Sequence, residues 1–181
     1  MPHIAVRDDL PGITGLLAFK PSTGVKVAEL MHELLRGASS LSPAEREVIA
    51  SYVSRVNECE FCARSHSAVV PHLGASPELC VAAQAGPDVE GLAPKLRALL
   101  RVAGAVAEGG PRVSDEDVAA ARAAGATDEE LHDTVLIAAA FCMVNRYVDG
   151  LGTVAPTEEE RYDRMGARLA RDGYLRAVPP S

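Results

Sequence analysis

Between Glu47 and His66 the chain reads EVIASYVSRVNECEFCARSH, which gathers a carboxylate, a Cys59-x-x-Cys62 pair and a histidine four residues after the second cysteine. A CxxC at the start of a helix turns both sulfurs to one face, close enough for a short-loop disulfide. The unpaired N–H groups of the first turn and the helix dipole stabilise a thiolate there, which lowers a cysteine from its usual value of about 8.5. His66 lies one turn beyond Cys62 on that face, where it can accept the thiol proton or stabilise the thiolate as an imidazolium. A buried Glu47 can in turn orient the imidazole and set its basicity, completing a nucleophile–base–orienter set. These are the parts that a peroxide-reducing thiol needs: a nucleophile, a base, and a second thiol to capture the sulfenic acid as a disulfide.

Other readings compete on the same residues. Cys59, Cys62, His66 and Glu47 could supply four zinc ligands, although the chain has no second CxxC and no histidine pair. A thioredoxin-type motif expects a strand-to-helix context, which is missing here. A purely structural cysteine pair is the bland alternative. Glu47 has one too, as a solvated carboxylate near a helix N-terminus.

The elements that must position these residues are helical. A first helix is expected from Ser22 or Thr23 to Arg36, with Leu30, Met31, Leu34 and Leu35 at the 3.6-residue period and Gly37 at the C-cap. Ser42, Pro43 and Glu45 form a capping box with proline at the first helical position. In the helix that follows, Val48, Ile49, Tyr52, Val53 and Val56 make one apolar stripe. Glu47 shares the other side with Ala50, Ser51 and Ser54, small residues that allow another helix to approach. A third helix begins near Cys59 or Glu60, with Cys59, Cys62, Ala63, His66, Val69 and Val70 on one face, and ends around Pro71 and Gly74. Helices follow from Ser76-Pro77 to Ala85, over Lys95–Ala107, from Ser114 to Ala124, from Asp128 to about Val148 behind a second capping box at Thr127, and from Thr157–Glu160 to Asp172. Strand signals are nearly absent. The expectation is an all-α single domain at 21–175, of about seven or eight helices, behind an irregular arm at 1–20 rich in proline and glycine. Ser42–Asn57 and Thr127–Cys142 are loosely alike, each a capping box followed by an apolar helix, which hints at two related units.

Composition narrows the function classes. At 181 residues and 48% apolar the chain can bury one sizeable core. A net charge of −7 without a basic cluster argues against nonspecific nucleic-acid binding and against adhesion to an anionic membrane. The longest near-apolar run, Val135–Val144, is half a membrane span of ~20 residues. The N-terminus lacks the layout of a signal peptide, so a cytoplasmic location is expected. Four cysteines in that setting are reduced thiols, with Cys80 and Cys142 read as small buried hydrophobes.

The pattern Glu47-x11-Cys59-x2-Cys62-x3-His66 resembles that of the AhpD-like alkylhydroperoxidases of the carboxymuconolactone decarboxylase superfamily, and especially their peroxidase-related branch. LSPAEREVIASYVSRVNECEFCARSH looks like that family's core segment. AGATDEELHDTVLIAAAFCMVNRYVDGLG is similar to its second helix, including Asn145-Arg146 and the Asp149-Gly150-Leu151-Gly152 ending. The likeness spans about residues 10–155. It implies an all-helical AhpD-like fold that assembles as a dimer, trimer or hexamer. By that resemblance Cys62 would be the peroxidatic thiol, Cys59 the resolving one, and Glu47 with His66 a proton relay. Dipole reasoning alone would favour Cys59 as the more acidic thiol; the i, i+4 relation of His66 to Cys62 favours Cys62. One departure is Phe61, where peroxidases of the family can carry a histidine between the cysteines.

The expected function is thus a thiol-dependent peroxidase acting on hydrogen peroxide or organic hydroperoxides. It would need no cofactor and no metal, and would be re-reduced by a dithiol donor such as a lipoylated or thioredoxin-like protein. The alternatives are a carboxymuconolactone decarboxylase-type lyase or isomerase that does not use the cysteines, and a redox- or zinc-responsive binding protein. His3, His32, His72 and His132 are read as surface or capping residues. Arg146 is read as an ion-pair partner of Asp149 or Glu47.

Overall fold

The capping signals place the helices. In a computed structural model that describes residues 1–177, the chain forms nine α-helices and no strand among those residues. They are α1 (Ile13–Phe19), α2 (Pro21–Arg36), α3 (Pro43–Val56), α4 (Glu60–His72), α5 (Glu78–Ala85), α6 (Pro94–Glu108), α7 (Asp115–Ala123), α8 (Asp128–Gly150) and α9 (Glu159–Asp172), with 3₁₀ turns at Gly110–Arg112 and Leu175–Ala177. Both capping boxes form as expected, and Ser114 with Asp117 makes a third.

The count exceeds the expected seven or eight because the arm is not irregular throughout. Gly12 adopts φ +56°, which turns the chain after Pro11, and Ile13–Phe19 then winds into α1 with Leu16 and Leu17 buried against α2 and α8. The rest of the arm is tied to the end of α8 by His3 N–H to the Leu151 carbonyl (2.9 Å) and Gly12 N–H to the Val154 carbonyl (3.1 Å). Gly24, which weakens α2 by propensity, is where α2 meets α1: a Cβ there would collide with the Leu17 backbone. Gly166 plays the same part in α9, where a Cβ would strike the α4 backbone at Ala68.

The core is organised on α3, which packs against α4, α5, α6 and α8, while α9 lies along α4. Nearly every residue of α3 from Ala44 to Ser54 is buried, including Ser51 and Ser54 on the small-residue side. The seryl hydroxyls are satisfied internally, Ser54 by the Ala50 carbonyl (2.8 Å) and Ser51 by the Ala63 carbonyl (3.2 Å), as buried polar groups must be. In α8 only one face turns inward, with Leu131, Ile137, Phe141, Val144 and Val148 buried; Val135, Leu136 and Met143 remain 38, 39 and 48% exposed. Among the described residues no helix is long and apolar enough to cross a membrane.

Candidate active site

The site is built at the joint between α3 and α4. Asn57 caps α3, Glu58 takes a left-handed conformation at φ +60°, and the chain closes with two characteristic bonds: Glu58 N–H to the Arg55 carbonyl (3.0 Å) and Cys59 N–H to the Ser54 carbonyl (2.9 Å). This is a Schellman motif with glutamate where glycine is usual. Cys59 ends that motif and is also the N-cap of α4, so Cys62 falls in the first turn of α4 and His66 one turn later. The helix face inferred from the sequence is the buried one: Cys59, Cys62, Ala63, His66, Val69 and Val70 are all covered, and Arg64 is half-exposed.

Glu47 is fully buried, which overturns the reading of a solvated carboxylate. Its Oε2 accepts from His66 Nδ1–H at 2.6 Å, and its Oε1 accepts from the Tyr174 hydroxyl at 2.6 Å and pairs with Arg36 Nη2 at 2.7 Å. Burial, the largest influence, opposes ionisation; the charge and hydrogen bond of His66, the Arg36 guanidinium and the Tyr174 hydroxyl outweigh it and hold the carboxyl below its ordinary range. An ionised carboxylate can only accept, so His66 donates through Nδ1 and keeps Nε2 for proton exchange with a reactant. The imidazole is wedged edge-on against Phe141 (centroids 4.6 Å apart) and stacked on Tyr174 (5.9 Å, 14° between planes).

Both thiols are reduced and buried. Here the sequence expectation is reversed. Contact with the Cys59 sulfur and burial push the Cys62 thiol well above its usual value, and Asn145 acts only weakly the other way. The helix start is present, but the sulfur is almost wholly covered, which disfavours the charged thiolate, so a base is needed at the moment of reaction. Cys62 and His66 line the same narrow pocket, about 50 Å³ in volume, whose other walls include Phe61, Met31, Phe141 and Leu169. That is room for roughly three waters or one small polar head group. Phe61, between the two cysteines, is itself wall: its ring sits against Gly12 and 6.1 Å from that of Tyr162.

The remaining polar groups brace the joint. Asn145 on α8 is buried, donates to Ser54 Oγ (3.1 Å) and accepts from Asn57 Nδ2 (2.9 Å). Its neighbour Arg146 is exposed and, among the described residues, bonds only its own helix, at the Cys142 carbonyl (2.9 Å), so the expected pairing with Asp149 or Glu47 is wrong. The cation on Glu47 is Arg36, from the last turn of α2. Arg36 also donates to the Leu35 and Leu169 carbonyls (2.7 and 3.3 Å) and lies over the Tyr174 ring, 5.2 Å from its centroid. Sequence reasoning missed both Arg36 and Tyr174. The only local signals were a basic residue ending an amphipathic helix and an aromatic directly after the Gly173 that stops α9. His72 pairs with Asp163 (2.9 Å) and His132 with Asp133 (3.1 Å), as surface histidines do, whereas His32 Nδ1 accepts the Tyr174 backbone N–H (3.2 Å). Among the described residues no three His, Cys, Asp or Glu side chains converge as metal ligands would, and Glu47 and His66 are spent on each other.

The all-helical bundle is of the AhpD-like kind. The chain belongs to the carboxymuconolactone decarboxylase family, whose model matches residues 25–87 and again 81–155. The first match contains α3 and the second α8, the two capped helices whose likeness is visible in the sequence. The crystal structure of an uncharacterized peroxidase-related protein from Silicibacter sp. superposes with a TM-score of 0.75 at 25% identity, covering 84% of this chain and 78% of that one. An alkylhydroperoxidase AhpD core structure of an uncharacterized peroxidase-related protein from Ralstonia eutropha gives 0.75 at 25% identity, covering 87% and 81%. A protein of unknown function from Agrobacterium tumefaciens, 23% identical, shares the fold with a TM-score of 0.68 over 79% of this chain and 97% of that one. No curated protein matches the chain significantly.

Proposed function

We propose that this protein is a thiol-dependent peroxidase that reduces hydrogen peroxide or small organic hydroperoxides through a Cys59–Cys62 dithiol–disulfide cycle. The observation that carries this reading is the Glu47–His66 pair, bonded at 2.6 Å, on a pocket shared with Cys62. His66 Nε2 takes the Cys62 proton as the thiolate attacks the outer peroxide oxygen. The O–O bond breaks, an S–O bond forms, and the departing alkoxide or hydroxide takes a proton from the imidazolium, leaving alcohol or water and Cys62 as sulfenic acid. The Cys59 thiol then attacks that sulfur; the disulfide forms and water leaves. A dithiol donor, lipoylated or thioredoxin-like, reduces the disulfide by exchange and is itself oxidised. A reducing cytoplasm is the setting this cycle suits, and no bound cofactor is required.

The test is consumption of hydroperoxide by the dithiol-supplied protein. Cys62→Ser is expected to abolish it, and Cys59→Ser to leave Cys62 trappable as sulfenic acid after peroxide treatment. Consumption by Cys62→Ser at the parent rate would overturn the proposal. The family match keeps a second reading in play, a carboxymuconolactone decarboxylase-type lyase or isomerase. That activity would survive alkylation of every cysteine.

We also propose that the protein is a homo-oligomer joined through the outer face of α8, where Val135, Leu136 and Met143 leave apolar surface uncovered.

A further inference from the structure

We propose that Tyr174 is a positioning residue of the dithiol site, acting through Glu47 to set the orientation and basicity of His66. The inference rests on the thiol chemistry proposed above but reaches a residue outside the 25–155 stretch that the family model matches.

Four separate parts of the chain converge on one carboxylate: α3 supplies Glu47, α4 His66, α2 Arg36, and the segment after α9 supplies Tyr174. The tyrosine is fixed at three points. Its hydroxyl donates to Glu47 Oε1 (2.6 Å) and lies 3.3 Å from His66 Nδ1, whose own proton goes to Glu47; its ring stacks on the imidazole, and its backbone N–H donates to His32 Nδ1 (3.2 Å). Gly173 makes this possible with φ +66° and no side chain, since a Cβ there would run into the His32 imidazole. With Oε1 engaged by Tyr174 and Arg36, the carboxylate cannot rotate, and Oε2 is left to His66 alone. A side chain that merely filled the pocket would need no hydroxyl.

The charged and titratable groups facing His66 are Glu47, Tyr174, Cys62, Arg36 behind Glu47, and Arg168 of α9 on the same pocket. The walls from α1 and α8, including Leu17, Phe141 and Val144, carry none. Removing the hydroxyl takes one donor from the carboxylate, which concentrates negative charge on Oε2 and strengthens its hold on an imidazolium. His66 in Tyr174→Phe should therefore titrate at higher pH than in the parent.

The experiment is the NMR titration of labelled imidazoles in the full-length protein, with His66 assigned by its loss in His66→Gln. Tyr174→Phe, which keeps the ring, is expected to raise the His66 midpoint by roughly 0.5–1 unit and to lower kcat/KM for cumene hydroperoxide about tenfold. Leu175→Ala, on the same segment but exposed, should leave the midpoint unchanged. In a Glu47→Gln background Tyr174→Phe should move it no further. Difluorotyrosine at position 174 keeps ring and hydroxyl but donates more strongly, so it should move the midpoint down; this arm stands even if Tyr174→Phe folds poorly. A midpoint unmoved by both replacements, or moved equally without Glu47, would overturn the proposal. Because the titration needs no turnover, a parent that fails to reduce hydroperoxide would sink the proposed function while the midpoint still decides the role of Tyr174.

Discussion

Glu47 is charged, has no exposed surface, and is stabilised by groups that lie far from it in sequence. Its carboxyl is held below the ordinary value, so the charged form contributes stability above the unfolded value of about 4.3, and that contribution is lost as pH falls through the lower folded value. Glu47→Gln leaves Arg36 buried without its counter-charge. It is expected to cost about 3 kcal/mol, read as a lower urea midpoint at pH 7, with the difference from the parent shrinking in acid as the parent's own carboxyl protonates. At this scale the sequence is informative where chemistry is local. Cys59, Cys62 and His66 share a face because of their spacing, and Glu47 could be suspected because its neighbours Ala50, Ser51 and Ser54 are small. Arg36 and Tyr174 reach the site only through the packing of α2 and the turn after α9, and no spacing in the chain encodes that. The acidity of Cys62 was misread for a related reason: helix position is visible in sequence, whereas burial of the sulfur is a property of the assembled core.

The element that decides the site is the α3–α4 joint, where Glu58 holds a left-handed conformation that costs a non-glycine residue about 1–2 kcal/mol. Glu58→Gly removes that cost and adds the chain entropy of glycine, so a net gain of about 0.5–1 kcal/mol is expected, measurable as a raised thermal midpoint. No change, or a loss, would mean that the Glu58 side chain contributes something its backbone does not show. Helix starts with capping boxes were legible to the residue, since Ser42–Glu45 and Thr127–Glu130 satisfy their own backbone donors locally. α1 was not, because its Pro11-Gly12 lead-in reads as a breaker until Leu16 and Leu17 have a core to bury against.

For the whole molecule, the outer strip of α8 carries the oligomer proposal. Leu136→Asp is expected to shift the mass by light scattering toward the monomer while far-UV circular dichroism stays unchanged; a parent that is already monomeric would end that proposal. The Schellman joint has a further consequence. Cys59 N–H is bonded to the Ser54 carbonyl inside the core, and α3 and α4 share that linkage, so the hairpin carrying Glu47, Cys59, Cys62 and His66 should open only when the whole protein does. In deuterated solvent the Cys59 amide should be among the last to exchange, at the rate set by global unfolding. The Tyr174 amide, held by a single imidazole nitrogen outside any helix, should exchange sooner. The reactive residues would then sit on the slowest part of the molecule, and whatever admits a substrate to them would be drawn from the fast part.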